Sequence, residues 1–350
     1  MSSSLCCVEC FSDKALKRAI VEFKQFGRCH FCHKNDVSIT LISDLVSITK
    51  STIENLSYMF VEEDSGTELI EILDKDFRLF SDVTDKFRLK KELTQNLPDT
   101  LLKKYKTENI SEVYLQWSDF KEEIIHKNRF FPQTTIYQQA FLPLGNLYNN
   151  FQQLIEQLKL PIHPSEYFYR GRISEKVLDR SLMGKPPANL ATIGRANPYG
   201  ISYLYLAKTK EICIKEIRPN NGDTISIAKF NVTQQLNVID LRSPRETISF
   251  LSLTSTNFIE ILKLVSLLET FAEELSLPVL PNNSQREYIP TQFITEFFKT
   301  HGNLDGIIFN SSYGYGYNLV LFDDQYCISC PSSSIEFVKI KGISFDHEPT

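Results

Sequence analysis

The fold of this chain is decided by Tyr-Phe-Tyr-Arg-Gly-Arg at 167–172 and by the residues that follow it as far as Pro219. The same stretch carries Gly-Arg-Ala-Asn-Pro-Tyr-Gly at 194–200, Tyr-Leu-Tyr-Leu-Ala at 203–207 and Lys-Glu-Ile-Arg-Pro at 215–219. Arginine, tyrosine and glutamate occur here in a fixed order, beside apolar runs that are typical of short strands and turns. These residue types suit the binding of an anion and the cleavage of a glycosidic bond better than they suit packing alone.

The chain beyond Pro161 is predicted to mix short strands and helices. Runs rich in Val, Ile, Tyr and Phe predict strands at 202–207, 224–231, 236–240, 306–310, 318–322 and 334–341. Apolar residues at helical spacing predict helices at 210–217, 255–276 and 290–300. Because the two kinds of element do not alternate regularly, the pattern favours an α+β domain over a doubly wound sheet.

The chain from 37 to 157 is predicted to be helical. Apolar residues recur at intervals of three and four within 51–61, 67–80, 85–96 and 111–127. The single tryptophan, Trp117, falls on the apolar face of the last helix, and it is expected in the core rather than at a ligand.

Composition limits the class of protein. A length of 350 residues suits about two domains of roughly 150 residues each. The net charge of −5 does not indicate a nucleic-acid partner. No run reaches the ~18–20 apolar residues of a membrane span, and the N-terminus does not resemble a secretory signal. We therefore expect a cytoplasmic protein with no membrane partner.

Five of the eight cysteines lie within the first 32 residues. Cys7-x2-Cys10 and Cys29-x2-Cys32 are separated by eighteen residues, a spacing typical of a structural zinc site in which each pair offers two thiolates to one ion. A short helix is expected between the pairs, at 13–25. The alternative is four reduced thiols under that helix. Cys6 could take the place of Cys7, and His30 or His33 could compete as ligands.

Several motifs occur in combination between 166 and 337: Tyr-Arg-x-Arg at 169–172, Gly-Arg-x-Asn-x-x-Gly at 194–200, Tyr-Leu-Ala at 205–207, Glu216, Tyr-Ile-Pro-Thr-Gln at 288–292, Ser-Ser at 311–312 and Asn-Leu-Val-Leu-Phe at 318–322. Through this combination, residues 166–337 resemble the RES domain family, which is named for Arg, Glu and Ser. Two positions depart from the family pattern, because Asn310 replaces the usual Pro before the motif serine and Ala196 replaces a Phe.

The resemblance implies a fold like that of ADP-ribosylating toxins, in which two small sheets meet at a cleft that holds NAD+. It also implies cleavage of NAD+ at the nicotinamide–ribose bond and a toxin held in check by an antitoxin or regulatory protein. In some members the acceptor is phosphate, which makes the enzyme an NAD+ phosphorylase. Other members have been viewed as ADP-ribosyltransferases acting on proteins, and the sequence leaves phosphate, water and a macromolecule open as acceptors.

The family pattern assigns roles to individual residues. Arg170 and Arg195 are expected to bind the diphosphate of NAD+ through their planar guanidinium groups. Glu216 is expected to stabilise positive charge on the ribose as the bond to nicotinamide breaks. Tyr205, Ser311 and the more weakly assigned Asn318 are expected to position the substrate. Each of these residues alone could be structural, and the rivals within the same motifs are Arg172, Glu211 and Ser312.

The N-terminal part resembles the zinc-knuckle and HEPN-like helical domain that precedes RES in some bacterial proteins. This match rests on Cys-Cys-x2-Cys-Phe-x-Asp at 6–13 and, more loosely, on Trp-x2-Phe at 117–120 followed by Arg-Phe-Phe at 129–131. The chain would then comprise a zinc knuckle at 1–35, a helical domain at 36–160 and a RES catalytic domain at 161–350.

Some HEPN domains bind or cleave RNA, and a zinc knuckle can contact nucleic acid. The Arg-x4–6-His motif expected of HEPN nucleases is absent from 37–157. An RNA-binding or nuclease module is therefore kept only as an alternative. The preferred interpretation is a regulatory or partner-binding platform, with a homo-oligomer left open.

Overall fold

The computed structural model describes residues 4–57, 61–82, 85–106, 111–249, 251, 258–277, 284–331 and 334–342. Its strands are β1 (Leu5–Cys7), β2 (Phe26–Gly27), β3 (Val37–Leu41), β4 (Val61–Glu68), β5 (Lys104–Lys106), β6 (Lys159–Ile162), β7 (Tyr167–Ile173), β8 (Leu204–Ala207), β9 (Thr224–Val232), β10 (Leu236–Asp240), β11 (Gly306–Asn310), β12 (Tyr317–Leu321), β13 (Cys327–Ser329) and β14 (Glu336–Lys339). Its helices are α1 (Lys14–Glu22), α2 (Ile42–Ser57), α3 (Leu69–Lys75), α4 (Lys86–Asn96), α5 (Pro98–Leu101), α6 (Ser111–His126), α7 (Tyr148–Gln157), α8 (Lys210–Ile217), α9 (Pro244–Thr247), α10 (Phe258–Ser276), α11 (Ser284–Glu287) and α12 (Ile289–His301).

The chain forms two compact units. The first comprises 1–116, 149–157 and 243–269, and the second comprises 117–148, 158–242 and 270–350. Mixed helix and strand agrees with the predicted α+β class. None of the helices that the structure describes is both long and apolar enough to cross a membrane.

The first unit packs its helices on a small antiparallel sheet with the strand order β1-β3-β2. Helix α1 begins where the side chain of Asp13 accepts a hydrogen bond from Leu16 N at 2.8 Å, which satisfies one of the free amides of the first turn. The same carboxylate oxygen accepts from Ser249 Oγ at 2.8 Å. The core beneath these elements is aliphatic and aromatic, and it contains Phe11, Leu16, Leu45, Leu73 and Leu93.

The prediction that 37–157 is helical throughout was wrong at three strands. Strand β3 is rich in β-branched residues and pairs with both β1 and β2, while β4 and β5 pair with each other around an irregularity between Glu62 and Thr67. The helix expected at 51–61 is observed as the end of the longer α2, which is described as far as Ser57, and 58–60 lie outside the described residues. The helix expected at 67–80 is the shorter α3, which ends at Lys75.

The second unit contains a sheet of nine strands, running β13-β9-β7-β8-β12-β11-β10-β6, with β14 also paired to β9. Among the described strands of this sheet, β10 and β11 are parallel and the other pairs are antiparallel. Strands β7 and β9 share seven residue pairs, whereas β7 and β8 share one, Tyr169 with Ala207. The family resemblance implied two small sheets, whereas the structure has one sheet in which β7 and β8 are joined at a single residue pair.

Strands β9, β10, β11 and β12 and helix α8 match the predicted boundaries to within one residue. Strands β6 and β7 were missed, as was β13. The helix predicted at 255–276 is observed from Phe258, and 255–257 lie outside the described residues. Trp117 is buried as expected, and its indole donates to Glu274 Oε1 at 2.9 Å.

A glycine lets α8 pack closely on β7. A Cβ on Gly171 would lie 2.3 Å from Ile217 Cδ1 and 3.2 Å from Cys213 Sγ, both on α8. Any larger residue would therefore push the helix away from the strand. The helix begins at Thr209, whose side chain accepts from Ile212 N, and it carries Glu216 in its last turn.

Candidate active site

A cavity of about 460 Å³ lies where β7 and β8 diverge in the second unit. Strand β7 contributes Tyr169 and Arg170, β8 contributes Tyr205, and α8 contributes Glu216. The volume is within the range of ~300–1,000 Å³ that is usual for small-molecule sites. Five of the six residues predicted for the site line this cavity, and the sixth, Ser311, is hydrogen-bonded to one of them.

Glu216 is held by two side chains from the other half of the sheet. Its Oε1 accepts from Ser311 Oγ at 2.8 Å and from Asn318 Nδ2 at 2.6 Å. Asn318 and Ser311 are both almost fully buried. The second oxygen, Oε2, accepts no hydrogen bond from the residues that the structure describes, and so it is available to a ligand. The carboxylate is therefore fixed in orientation through one oxygen only.

The rivals of Glu216 and Ser311 lie elsewhere. Glu211 is exposed on the first turn of α8, and Ser312 is exposed next to Ser311. Asn310, which stands where the family has Pro, donates Nδ2 to Arg242 O at 2.8 Å, and its own carbonyl accepts from Ser276 Oγ at 2.8 Å. These two bonds fix the turn before Ser311 by a different means from the fixed φ of proline.

Arg170 is a largely buried cation without an acidic partner among the described residues. Its Nη1 donates to Tyr205 O at 3.1 Å, while its Nε is buried and has no hydrogen-bond partner in this part of the chain. Burial, followed by the nearby charge of Arg172, lowers the pKa of Arg170 to about 10, so it remains cationic at neutral pH. A buried polar group without a partner is costly to the folded protein, and the guanidinium of this lining residue brings positive charge to the cavity.

Arg172 does not line the cavity, because its Nη2 donates to Gly184 O at 2.9 Å. Arg195 does line it, but its Nη1 already donates to Leu275 O at 2.7 Å and Ser276 O at 2.9 Å, at the end of α10. Arg195 thus closes the C-terminal end of that helix, which is the structural role that the sequence left open. Arg170 is consequently the better placed of the predicted anion-binding arginines.

Tyr205 supports the turn that carries Arg195. Its hydroxyl donates to Asn197 Oδ1 at 2.7 Å and accepts from Ala196 N at 3.0 Å. A Cβ on Gly194 would lie 2.6 Å from that hydroxyl oxygen, which explains the glycine. Burial raises the pKa of the Tyr205 phenol well above its usual value. The hydroxyl is therefore a neutral positioning group, while the ring remains on the wall of the cavity.

Comparison with known proteins gives the same assignment for this part of the chain. Residues 168–337 match the family model described as the RES domain. This segment is a RES domain. No curated protein gives a significant sequence match. A structural similarity is found with a chain of the M. tuberculosis MbcT-MbcA toxin-antitoxin complex, at 15% identity and a TM-score of 0.33, covering 55% of this chain and 93% of that chain.

Among the described residues, the cavity of the RES domain is also lined by four polar or ionisable side chains that were not predicted as site residues: Tyr169, Cys213, Arg218 and Tyr288. Tyr169 and Arg218 lie within the motifs at 169–172 and 215–219, and Tyr288 opens the Tyr-Ile-Pro-Thr-Gln run, so membership of a motif was the available signal. No feature of the sequence indicated Cys213 as a site residue. Burial raises the pKa of its thiol to about 12, so it is a neutral wall residue rather than a nucleophile.

A second group of chemically active residues lies in the first unit. The sulfurs of Cys7, Cys10, Cys29 and Cys32 all lie within 4.8 Å of one another. Adjacent Sγ atoms are separated by 3.8 Å for Cys7–Cys10 and 3.4 Å for both Cys7–Cys32 and Cys10–Cys29. Four thiolates at about 2.3 Å from a tetrahedral zinc ion would be separated by roughly 3.8 Å, so the residues present fit this metal.

Cys6 and His30, which could compete as zinc ligands, contact other groups. Cys6 Sγ contacts Thr40 O at 3.6 Å, and His30 Nδ1 accepts a hydrogen bond from Leu5 N at 3.2 Å. Two backbone amides, those of Phe31 and Cys32, donate to Cys29 Sγ at 3.4 and 3.5 Å. Amides aimed at a sulfur stabilise its negative charge, as a thiolate ligand of zinc requires.

Proposed function

We propose that the RES domain cleaves NAD+ between nicotinamide and ribose and acts as an NAD+-degrading toxin. The observation that carries this proposal is the arrangement of Glu216, whose Oε1 is fixed by Ser311 and Asn318 while Oε2 is free of described partners. A carboxylate held in this way is preorganised toward a cation that forms in the cavity.

The reaction breaks the bond between the anomeric carbon and the nicotinamide nitrogen. Both electrons leave with nicotinamide, which becomes neutral and needs no proton. Positive charge develops on the ribose as in glycoside cleavage, and Glu216 stabilises it and accepts hydrogen bonds from ribose hydroxyls. A general acid is not required, which is consistent with a cavity lined by no histidine among the described residues.

The charges of the cavity suit a dinucleotide. Arg170, Arg195 and Arg218 line it together with one carboxylate, Glu216, although the whole chain carries a net charge of −5. Arg170 offers the positive charge of its guanidinium to the diphosphate. Tyr169 and Tyr288 offer aromatic walls on which planar rings of the substrate can stack.

The proposed acceptor is inorganic phosphate, so that the products are nicotinamide and ADP-ribose-1''-phosphate. This step follows from the family resemblance and from the excess of arginine over carboxylate in the cavity. For the first unit we propose a structural zinc ion at Cys7, Cys10, Cys29 and Cys32 and a HEPN-like regulatory platform, with an antitoxin or regulatory protein as partner. Zinc would join the two cysteine pairs and thereby hold β1 beside the loop before β3.

The test is nicotinamide release from NAD+, measured with and without phosphate, for the parent, Glu216→Gln and Glu211→Gln. Glu211 is the matched control, because it lies on the same helix and is exposed. We expect Glu216→Gln to lose about 10²–10³-fold in rate and Glu211→Gln to match the parent. Equal turnover in the parent and Glu216→Gln, or none in either, would contradict the proposal. Release without phosphate would indicate another acceptor, which NAD+ carrying a tagged adenine would identify.

A further inference from the structure

Arg218 lines the cavity at its exposed side and has no role in the bond cleavage described above. It is the second residue after Glu216. Its side chain forms no ion pair with a carboxylate among the described residues, and its guanidinium carbon lies 5.9 Å from the centroid of the Tyr313 ring. Its guanidinium is therefore available to a ligand that enters from solvent.

The backbone of Arg218 is unusual for this type of residue. It ends α8 in the left-handed conformation, with φ 53° and ψ 57°, and its amide donates to Lys215 O at 3.1 Å. Glycine is the usual residue at such a helix end, because it has no Cβ to strain. This conformation ends α8 two residues after Glu216 and leaves Arg218 at the exposed end of the helix.

Hydrogen bonds connect the end of α8 to the loop that carries Ser311. Lys215 Nζ donates to Tyr313 O at 3.0 Å, and Tyr313 N donates to Ser311 Oγ at 3.2 Å. Ser311 in turn donates to Glu216. Arg218 is thus placed next to the Ser311–Glu216 pair and opposite the ring of Tyr313, so that an anion bound by Arg218 would lie near the proposed reaction centre.

The other two arginines of the cavity are less suited to an exchangeable anion. Arg170 is largely buried, and Arg195 uses Nη1 to bind two carbonyl groups. An anion that approaches Glu216 also meets the negative end of α8, so it needs a cation to hold it there. Arg218 is exposed and lies where that cation is required.

We propose that Arg218 binds the acceptor phosphate of the reaction, an inference that rests on the proposed cleavage of NAD+. A phosphate oxygen forms a bond to the anomeric carbon while the bond to nicotinamide breaks, and the electron pair of that bond stays on the nicotinamide nitrogen. The guanidinium of Arg218 pairs with two other phosphate oxygens in the bidentate geometry that lysine cannot reproduce. Arg218 is a specificity-determining residue, because it selects phosphate over water.

The experiment compares the parent with Arg218→Gln, Arg218→Lys and Arg18→Gln. Arg18 is an exposed residue of α1 and controls for the loss of one positive charge. Nicotinamide release is measured over a range of phosphate and NAD+ concentrations, and binding of inorganic phosphate is measured separately by calorimetry. In Arg218→Gln we expect KM for phosphate to rise at least about tenfold while KM for NAD+ changes less than about twofold. The KM of Arg218→Lys for phosphate should lie between those of the parent and Arg218→Gln, and the KM values of Arg18→Gln should match those of the parent.

The outcomes separate this inference from the proposed function. An unchanged KM for phosphate in Arg218→Gln would overturn the inference while leaving NAD+ cleavage intact. A parallel rise of KM for NAD+ would also overturn it, because Arg218 would then bind a phosphate of the dinucleotide. If the parent releases no nicotinamide but binds phosphate, and Arg218→Gln does not, then the phosphate site stands and the proposed reaction fails. If the parent neither binds nor uses phosphate, the inference is wrong.

Discussion

Asn318 donates its side-chain amide to Glu216 Oε1 at 2.6 Å, across 102 positions of sequence. Asn318 lies on β12, which pairs with β8, while Glu216 lies on α8. The bond therefore ties the helix that follows β8 to the centre of the sheet. Ser311 makes the second bond to the same oxygen, and these two donors are the basis of the first prediction.

Removing either donor should slow nicotinamide release without unfolding the RES domain. We expect Asn318→Ala and Ser311→Ala each to lose roughly 10–100-fold in kcat, because Glu216 loses one of the bonds that orient it. Since both donors act on one oxygen, the double variant should lose less than the product of the two single losses. Steady-state kinetics measure this, with Ser312→Ala as the matched control. Strictly multiplicative losses would show that the two residues act independently.

We expect Arg170 to bind the ligand at a cost to the stability of the ligand-free protein. Arg170→Met should raise the free energy of unfolding by about 1–2 kcal/mol at pH 7, because a buried cation without an acidic partner is replaced by an apolar side chain. NAD+ binding should be lost in the same variant. Thermal unfolding and calorimetric titration with NAD+ measure the two effects. A less stable variant that still binds NAD+ would contradict the assignment.

The stabilisation in Arg170→Met should also depend on pH. Burial lowers the pKa of Arg170 to about 10 from 12.5, so the folded protein releases this proton at a lower pH than the unfolded chain. The unfolded chain then binds more protons between those values, and the stability of the parent rises with pH in that window. The advantage of Arg170→Met is expected in full below pH 10 and should decline above it. Unfolding in denaturant at pH 7 and pH 11 measures the difference.

Much of the candidate site could be predicted because its residues follow each other in a recognisable order. Glu216, Ser311 and Asn318 were chosen by their neighbours in sequence, and the structure brings them into hydrogen-bond contact. The carbonyl partners of Arg195 could not be predicted, since Leu275 is 80 positions away and contributes only backbone atoms. Side-chain patterns carry no information about which main-chain oxygen a cation will meet.

Prediction of the secondary structure from the sequence was limited in a similar way. Strands β9 to β12 consist largely of apolar residues and were predicted closely, because most of their side chains are buried. Strand β4 reads Val-Glu-Glu-Asp-Ser-Gly-Thr-Glu and carries no such signal. It is a strand because β5 pairs with it, an interaction between segments nearly forty residues apart. Local propensity was overridden there by pairing.

Gly171 offers a test of how α8 is positioned. Gly171→Ala should lower the free energy of unfolding by about 1–3 kcal/mol, because the new methyl group would lie 2.3 Å from Ile217 Cδ1. It should also reduce kcat, since α8 carries Glu216. Gly342→Ala is the control, because a Cβ there meets no described residue within 4 Å. Chemical denaturation and nicotinamide release measure both effects, and a variant indistinguishable from Gly342→Ala would mean that α8 can shift without cost.

The last prediction concerns the metal content of the four-cysteine cluster. Purified protein should contain one zinc ion per chain, and Cys7→Ser should lose it, because a hydroxyl is a much poorer zinc ligand than a thiolate. Cys6→Ser is the matched control, since Cys6 is the adjacent buried cysteine and contacts Thr40 O instead. We expect Cys6→Ser to keep the metal, and Cys7→Ser and chelator treatment to lower the melting temperature together, since metal binding contributes folding free energy. Metal analysis and thermal unfolding show whether Cys7 or Cys6 is needed to hold the metal. Metal well below one ion per chain in the parent, or equal metal content in both variants, would show that the cluster consists of reduced thiols.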